Sequence, residues 1–160
     1  MTSATPKFLV DEMLQRLGRW LRAAGYDTVI ALNATPDYYL LRQAIDEGRL
    51  LLTCDRKLME HRRAADTVIL LRCSSLNDCM HELSKQVEID WQHAPFSRCL
   101  VCNTPLSNAT PTQMQSAPAS VNERELRALY CPQCHQVFWE GSHVNRMRDQ
   151  LATWQHTLPE

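Results

Sequence analysis

The stretch KFLVDEM, residues 7–13, sets the pattern for the first half of the chain. Residues 8–10 form a short run of large apolar side chains, which is typical of a strand buried on both faces. Asp11 ends the run, and apolar residues then recur at helical spacing until Gly25, a residue type that favours a helix C-terminus. A carboxylate therefore lies where a buried strand gives way to a helix, the edge at which α/β sheets collect ligands. Asp is also a favoured N-cap, so Asp11 has a purely structural alternative.

Strand and helix patterns keep alternating to about residue 86. Four short apolar runs predict strands, at residues 8–10, 26–31, 49–53 and 67–71. Thr35 and Pro36 are predicted as the N-cap and first residue of the second helix, and Ser74 or Ser75 as the N-cap of another. This alternation predicts an α/β fold with a parallel sheet and helices on both faces.

The alternation stops near Pro95, where the composition changes. Residues 103–122 are rich in Ser, Thr, Asn, Gln and Pro, which is typical of a loop without a core of its own. Cysteine pairs flank this loop, and a strand and a final helix are predicted after it. We therefore expect an α/β domain over residues 1–90 and a small second unit over residues 91–160.

Composition limits the class of protein. The chain has 160 residues, 44% of them hydrophobic, enough for one ordinary domain with an appendage. No apolar run approaches the roughly 20 residues of a membrane span, and no signal-peptide pattern is seen. We therefore expect a cytoplasmic protein without a membrane partner. The formal net charge of −1 means that any contact with nucleic acid needs a local basic patch.

Three aspartates occupy similar places in the predicted topology. Asp11 follows the first strand, Asp55 follows the third, and Asp37 lies in the first turn of the second helix. A doubly wound sheet brings such residues to one edge. Oxygen-only clusters suit Mg²⁺ or Mn²⁺, which can promote displacement at phosphorus. The alternative is that Asp11 and Asp37 are helix caps and Asp55 is a turn residue.

Basic residues lie close to these aspartates in the sequence. They could hold a phosphate backbone, although arginines on a helix face are more often simply solvated. The candidates for RNA contact are Arg16, Arg19, Arg22, Arg56 and Lys57.

Four of the seven cysteines form two C-x-x-C pairs. Each pair predicts a tight turn that directs two thiolates towards one tetrahedral ion, and the spacing is typical of a zinc ribbon. Because four thiolates leave no open position, we predict a structural zinc bound by Cys99, Cys102, Cys131 and Cys134. The remaining cysteines show no pairing pattern, and we interpret them as reduced thiols: Cys54, Cys73 and Cys79.

Several segments resemble the Mut-seven C-terminal ribonuclease domain family, over nearly the whole chain. The matching segments are FLVDEML (8–14), DEGRLLLTCDR (46–56), FSRCLVCN (96–103), CPQC (131–134) and WEGSH (139–143). The resemblance implies a PIN-like nuclease fold with a fused zinc ribbon. It also implies a Mg²⁺- or Mn²⁺-dependent ribonuclease whose acidic ligands are Asp11, Asp37 and Asp55.

The leading hypothesis is a metal-dependent ribonuclease in which the ribbon adds affinity for RNA. One alternative is an inactive RNA- or ribosome-associated binding module, and any protein partner is unknown. Another is an aspartate phosphoacceptor of the receiver type, which also carries acids at the ends of its first and third strands.

Overall fold

The computed structural model describes residues 4–32 and 34–157, which contain two sheets. The first sheet is parallel, in the order β2-β1-β3-β4, with strands β1 (Phe8–Val10), β2 (Thr28–Ile30), β3 (Leu50–Thr53) and β4 (Val68–Leu70). The helices of this part are α1 (Gln15–Ala23), α2 (Asp37–Glu47) and α3 (Leu76–Gln86). The predicted α/β architecture with a parallel sheet is confirmed.

Helices cover both faces of this sheet because its strands are apolar on both sides. Phe8 and Val10 point into one core, where they meet α1 and α3. Leu9, between them, points into a second core with α2 and the 3-10 turn Arg56–Glu60. Alternation of side chains along a strand produces this division. The prediction of helices on both faces is confirmed.

The starts of the helices differ from expectation in detail. Asp11 caps a 3-10 turn, Glu12–Leu14, which runs directly into α1. Pro36, and not Thr35, is the N-cap of α2, because the Thr35 hydroxyl donates to the Leu32 carbonyl at 2.9 Å and Pro36 is extended. At α3, Ser75 accepts from the backbone N–H of Asp78, so of the two serines proposed it is Ser75 that caps.

Gly18 lets α1 approach the sheet closely. A Cβ at this position would lie 2.7 Å from Val10 Cγ2 and 2.8 Å from Ile30 Cγ1. Any larger residue would push α1 away from β1 and β2. The helix is therefore held tightly against the strand that ends in Asp11.

The second sheet is antiparallel, and it is built from β5 (Ser107–Asn108), β6 (Ala128–Cys131) and β7 (Gln136–Trp139). Between β5 and β6 lie α4 (Pro111–Met114) and α5 (Ala119–Glu123), and α6 (Ser142–His156) follows β7. The expectation of a plain loop over 103–122 is therefore wrong. Thr110 and Gln113 form a capping box, and Val121 supplies a buried apolar anchor. None of the helices in the described residues is long and apolar enough to cross a membrane.

The two parts of the chain share one apolar core. Leu151 and Trp154 of α6 belong to the same buried cluster as Phe8 and Leu21. The Trp154 ring lies 4.8 Å from that of Trp20, centroid to centroid. The division at residue 90 remains a prediction about folding units, since the cores on either side of it are continuous.

The connection between the two parts crosses the end of α1. Helices leave their last carbonyls without partners, and here the Ala24 and Ala23 carbonyls accept from the N–H groups of Ala94 and Phe96, at 2.9 and 2.8 Å. Gly25, with φ +100°, makes room: a Cβ there would lie 2.4 Å from the Ala94 oxygen. The second part is thus fastened to the C-terminus of α1.

Candidate functional site

Asp11 and Asp55 are joined at the C-terminal edge of the parallel sheet by Thr53. Because β1 pairs with β3 and places Val10 opposite Leu52, Asp11 lies beside the end of β3. The fully buried Thr53 donates its hydroxyl proton to Asp11 Oδ2 and accepts from the Asp55 N–H at 3.0 Å. One side chain therefore positions both acidic residues. Thr53 was not predicted as a site residue; its signal in the sequence is a hydroxyl side chain that ends an apolar strand.

Backbone groups hold the other side of each carboxylate. Asp11 Oδ1 accepts from the Met13 N–H at 3.0 Å, and Asp55 Oδ1 accepts from the Lys57 N–H at 2.9 Å. The capping role considered for Asp11 is therefore present. An ionised carboxylate has about four lone-pair sites, and these contacts occupy only some of them. Both carboxylates retain capacity for a cation.

Asp37 follows a loop and not the end of a strand. It is half-buried at the start of α2. The preceding loop is tied to the neighbour of Asp11, because Glu12 Oε2 accepts from the Ala34 N–H at 3.2 Å. Glu12 thus helps to set where Asp37 lies.

The three aspartates do not form one compact ligand group. Within residues 4–32 and 34–157, only the four cysteines bring three or more His, Cys, Asp or Glu ligand atoms within 4.8 Å of one another. Asp11, Asp37 and Asp55 are not such a group, and their role as ligands of one cation remains a prediction.

A disulfide lies near this edge. Cys73, in the connection from β4 to α3, is bonded to Cys79 of α3, so the interpretation of both as reduced thiols is wrong. No sequence pattern signals this pair, because it depends on how the connection folds back onto the first turns of α3. Cys54 is a free thiol, and burial and the Asp11 carboxylate raise its pKa. A protonated thiol is a poor nucleophile, so Cys54 is not a candidate for covalent catalysis.

Four of the five proposed basic residues are exposed. Arg16 and Arg19 lie on the outer face of α1, and Arg56 and Lys57 begin the turn after Asp55. All four are accessible to an anionic ligand.

Arg22 is the exception, and its assignment to RNA contact is wrong. The residue is only 6% exposed. Its Nε donates to the Thr28 carbonyl at 2.8 Å, and its Nη1 donates to the carbonyls of Leu100 and Val101 at 3.0 and 3.1 Å. Arg22 therefore joins α1 to the turn between Cys99 and Cys102, and has no free face for phosphate.

The four predicted cysteines converge. The Cys99 and Cys134 sulfurs are 3.9 Å apart, those of Cys102 and Cys131 are 3.5 Å apart, and all four lie within 4.8 Å of one another. With Zn–S bonds of 2.3 Å, a tetrahedral site requires sulfurs about 3.8 Å apart. The cluster can therefore hold a metal ion such as zinc.

Both cysteine pairs form the same turn. The residue after each second cysteine, Asn103 or His135, has a left-handed φ, 75° or 56°. Its N–H donates to the carbonyl of the first cysteine of the pair, at 2.9 Å in both turns. This repeated local geometry directs each pair of sulfurs to the same side.

In the absence of a metal, the thiols of the cluster differ in pKa. Burial disfavours the Cys102 thiolate, but hydrogen bonds with the side chain and backbone of Thr104 outweigh it and lower its pKa to about 6. Hydrogen bonding with Cys102, followed by burial, raises the pKa of Cys134 to about 12. A metal must displace the remaining protons on binding, so metal affinity depends on pH.

The first cysteine turn is also docked onto β2. The Asn103 amide nitrogen donates to Asp27 Oδ1 at 2.7 Å, and its oxygen accepts from the Thr28 N–H at 3.0 Å. Arg49 Nη1 donates to the same Asp27 oxygen at 2.7 Å. The docking of Asn103 was not predicted, because Asn103 lies 75 and 76 residues from its partners Thr28 and Asp27.

Residues 6–151 match a family model described as the Mut7-C RNAse domain. Comparisons with curated proteins and with solved structures returned no significant match.

Proposed function

The chain belongs to the Mut7-C RNAse domain family, and on that premise we propose that it is a ribonuclease dependent on Mg²⁺ or Mn²⁺. The observation that carries this proposal is the pairing of Asp11 and Asp55 through Thr53 at the C-terminal edge of a parallel sheet. Two carboxylates about 5 Å apart repel each other by about 3 kcal/mol at an effective dielectric constant of ~20. A divalent cation removes that repulsion, and oxygen donors suit Mg²⁺ and Mn²⁺.

Each residue of the edge has a distinct role in this proposal. Asp11 and Asp55 hold the cation through the lone pairs that their present hydrogen bonds leave free. Thr53 keeps Asp11 oriented. Because Mg²⁺ retains several waters, Asp11 and Asp55 would suffice as direct ligands, and Asp37 would add negative charge. When bound, such a cation polarises the phosphodiester and activates a water for attack.

The four cysteines hold zinc with a structural role in this proposal. The supporting observation is that all four lie at one centre, which leaves no position open for substrate. The first cysteine turn accepts from Arg22 of α1 through the Leu100 carbonyl and from Thr28 of β2 through the Asn103 side chain. Zinc therefore stabilises the turn that docks onto α1 and β2.

The test replaces Asp11 or Asp55 with Asn in the full-length chain. Cleavage of single-stranded RNA in the presence of Mn²⁺ should fall about a hundredfold or more, since even indirect partners of metal ligands account for about 10–100-fold. Mn²⁺ binding, followed by electron paramagnetic resonance, should weaken in parallel while circular dichroism shows an unchanged fold. The matched control is Asp46→Asn, an exposed residue of α2 paired with Arg42. Cleavage that persists in both site variants would contradict the proposal.

An inactive RNA-binding module is a second candidate, favoured by one observation. The three aspartates do not lie in one ligand group. In that case the wild-type chain would bind RNA but neither bind Mn²⁺ at the sheet edge nor cut.

A further inference from the structure

A groove of about 450 Å³ lies between α1, the first cysteine turn and α6. It combines polar and apolar side chains, chiefly Arg16, Arg19 and His143 with Trp20, Val101 and Met147. No acidic side chain lines it among the residues that the structure describes. The groove therefore suits a ligand that carries both negative charge and apolar surface.

Val101 gives the groove a rigid apolar edge. This residue is 67% exposed at the tip of the first cysteine turn, so it adds little to the core. Its backbone is nevertheless fixed, because the Val101 carbonyl accepts from buried Arg22 and the turn is closed by Cys99 and Cys102. Because its backbone is already fixed, this exposed apolar residue loses little conformational entropy when it contacts a ligand.

The groove leads towards the aspartates. Arg16 also lines a second cleft, of about 250 Å³, which includes Met13 and Cys54. Cys54 directly precedes Asp55, so this cleft borders the sheet edge. Arg16 is thus the shared wall between the groove and the sheet edge.

We propose that this groove binds single-stranded RNA and leads it past Arg16 to Asp11 and Asp55; the inference rests on the proposed ribonuclease function. Phosphates lie against Arg16 and Arg19, and bases lie against Trp20 and Val101. A single strand offers both phosphates and base faces, whereas a duplex hides its base faces and would leave the apolar edge unused. The groove selects unpaired substrate before the chemistry.

The experiment measures binding apart from cleavage. A fluorescein-labelled oligouridylate is titrated into the full-length Asp11→Asn protein, and anisotropy is followed at several salt concentrations. Adding Arg19→Ala should weaken binding and lower the slope of log affinity against log salt by about 0.7, the value for one phosphate contact on a single strand. Adding Val101→Ser should weaken binding about threefold or more with the salt slope unchanged, because the change removes apolar contact area and no charge. Arg42→Ala, on the exposed face of α2, is the matched control.

Each outcome decides the matter. If the Arg19 and Val101 variants bind the oligouridylate as tightly as the Asp11→Asn parent does, the groove is not the RNA-binding site. Binding of a labelled RNA duplex with the same sensitivity to Val101→Ser would overturn its selectivity for single strands. Competition by polyglutamate as strong as that by oligouridylate would point to an acidic protein partner and also overturn the proposal. The ribonuclease hypothesis is tested separately. If the wild type binds RNA in the groove but does not cut it in the presence of Mn²⁺, the RNA-binding site is supported and the ribonuclease function is rejected.

Discussion

The cysteine cluster and the aspartate edge were predicted with similar arguments, yet only the cysteines converge into one complete ligand group. All four sulfurs lie within 4.8 Å of one another, whereas Asp11 and Asp55 are joined through Thr53 without Asp37 completing such a group. Each cysteine turn is local: two residues separate its ligands, and one left-handed residue closes it. The aspartates come from a strand pair and a loop, so their convergence depends on tertiary structure.

The cysteine cluster and the aspartate edge also differ in the charge repulsion that each must overcome before a metal binds. Thiols can stay protonated and share hydrogen bonds until a metal arrives, so the cluster can form beforehand without strong repulsion. Neighbouring carboxylates are ionised at neutral pH and repel one another. A preformed centre is therefore easier to build from cysteines, and an acidic site is expected to tighten when its cation binds.

Replacing Cys131 with Ser should have the largest effect, because the residue is fully buried in the cluster. Structural zinc contributes about 10–16 kcal/mol in zinc-finger peptides, and most of that should be lost with one ligand. We expect less than one zinc per chain by atomic absorption and a marked fall in the midpoint of thermal unfolding. Cys54→Ser, a free thiol outside the cluster, should keep its zinc. A full complement of tightly bound zinc in the Cys131 variant would refute the assignment.

Replacing Arg22 with Met should come second. It removes the donor to the buried Thr28 carbonyl and to the part-buried carbonyls of Leu100 and Val101. An unsatisfied buried group costs about 1–3 kcal/mol and a part-buried one costs less, so we expect a loss of about 2–4 kcal/mol in the free energy of unfolding, measured in urea, and zinc should remain bound. Arg19→Met, an exposed change on the same helix, should alter stability by less than about 0.5 kcal/mol. Equal stability of the two variants would mean that Arg22 does not hold the cysteine turn in place.

Replacing Thr53 with Val acts on the aspartate edge. The change keeps the shape but removes the hydroxyl that orients Asp11, so we expect a loss of about 1–3 kcal/mol in stability and weaker Mn²⁺ binding. Thr53→Ser keeps the hydroxyl and should retain most of the Mn²⁺ affinity. If Val and Ser variants bind Mn²⁺ equally well, the Thr53 bridge does not organise the site.

The smallest effect should be the pH dependence at Asp27. Burial opposes its ionisation, but hydrogen bonds from Arg49 and Asn103 outweigh burial and lower the pKa of Asp27. The stability it adds is therefore full above the ordinary Asp pKa and is lost as the pH falls through the lower, folded-state pKa. Asp27→Asn should be less stable at neutral pH and lose less stability on acidification from about pH 5 to pH 2. Parallel stability curves for wild type and variant would exclude this contribution.

Sequence reasoning succeeded where structure is encoded within a few residues. Short apolar runs located all four strands of the parallel sheet, although β2 is shorter than the predicted 26–31. The C-x-x-C pairs located the cysteine cluster, because each turn is set by its own cysteine pair and the residue after it. Gly25, predicted to end the first helix, directly follows the C-cap of α1 and has a φ of 100°. These features need no knowledge of distant contacts.

It failed where distant residues decide. Arg22 has the same helical spacing as exposed Arg19, and only the docked cysteine turn distinguishes a buried guanidinium from a solvated one. The disulfide between Cys73 and Cys79 depends on the course of one connection. In both cases the local sequence is compatible with more than one backbone conformation.

The position of Trp154 bears on the order in which the protein can be built. Its ring packs against Trp20 and Trp91, and its indole N–H donates to Asn77 of α3 at 3.0 Å. A ribosome adds roughly 5–20 residues per second, so the parallel sheet emerges several seconds before the helix that covers part of its core. During that interval an apolar surface around Trp20 is open to solvent. Until α6 has been synthesised, this exposed surface makes the nascent chain more prone to aggregate.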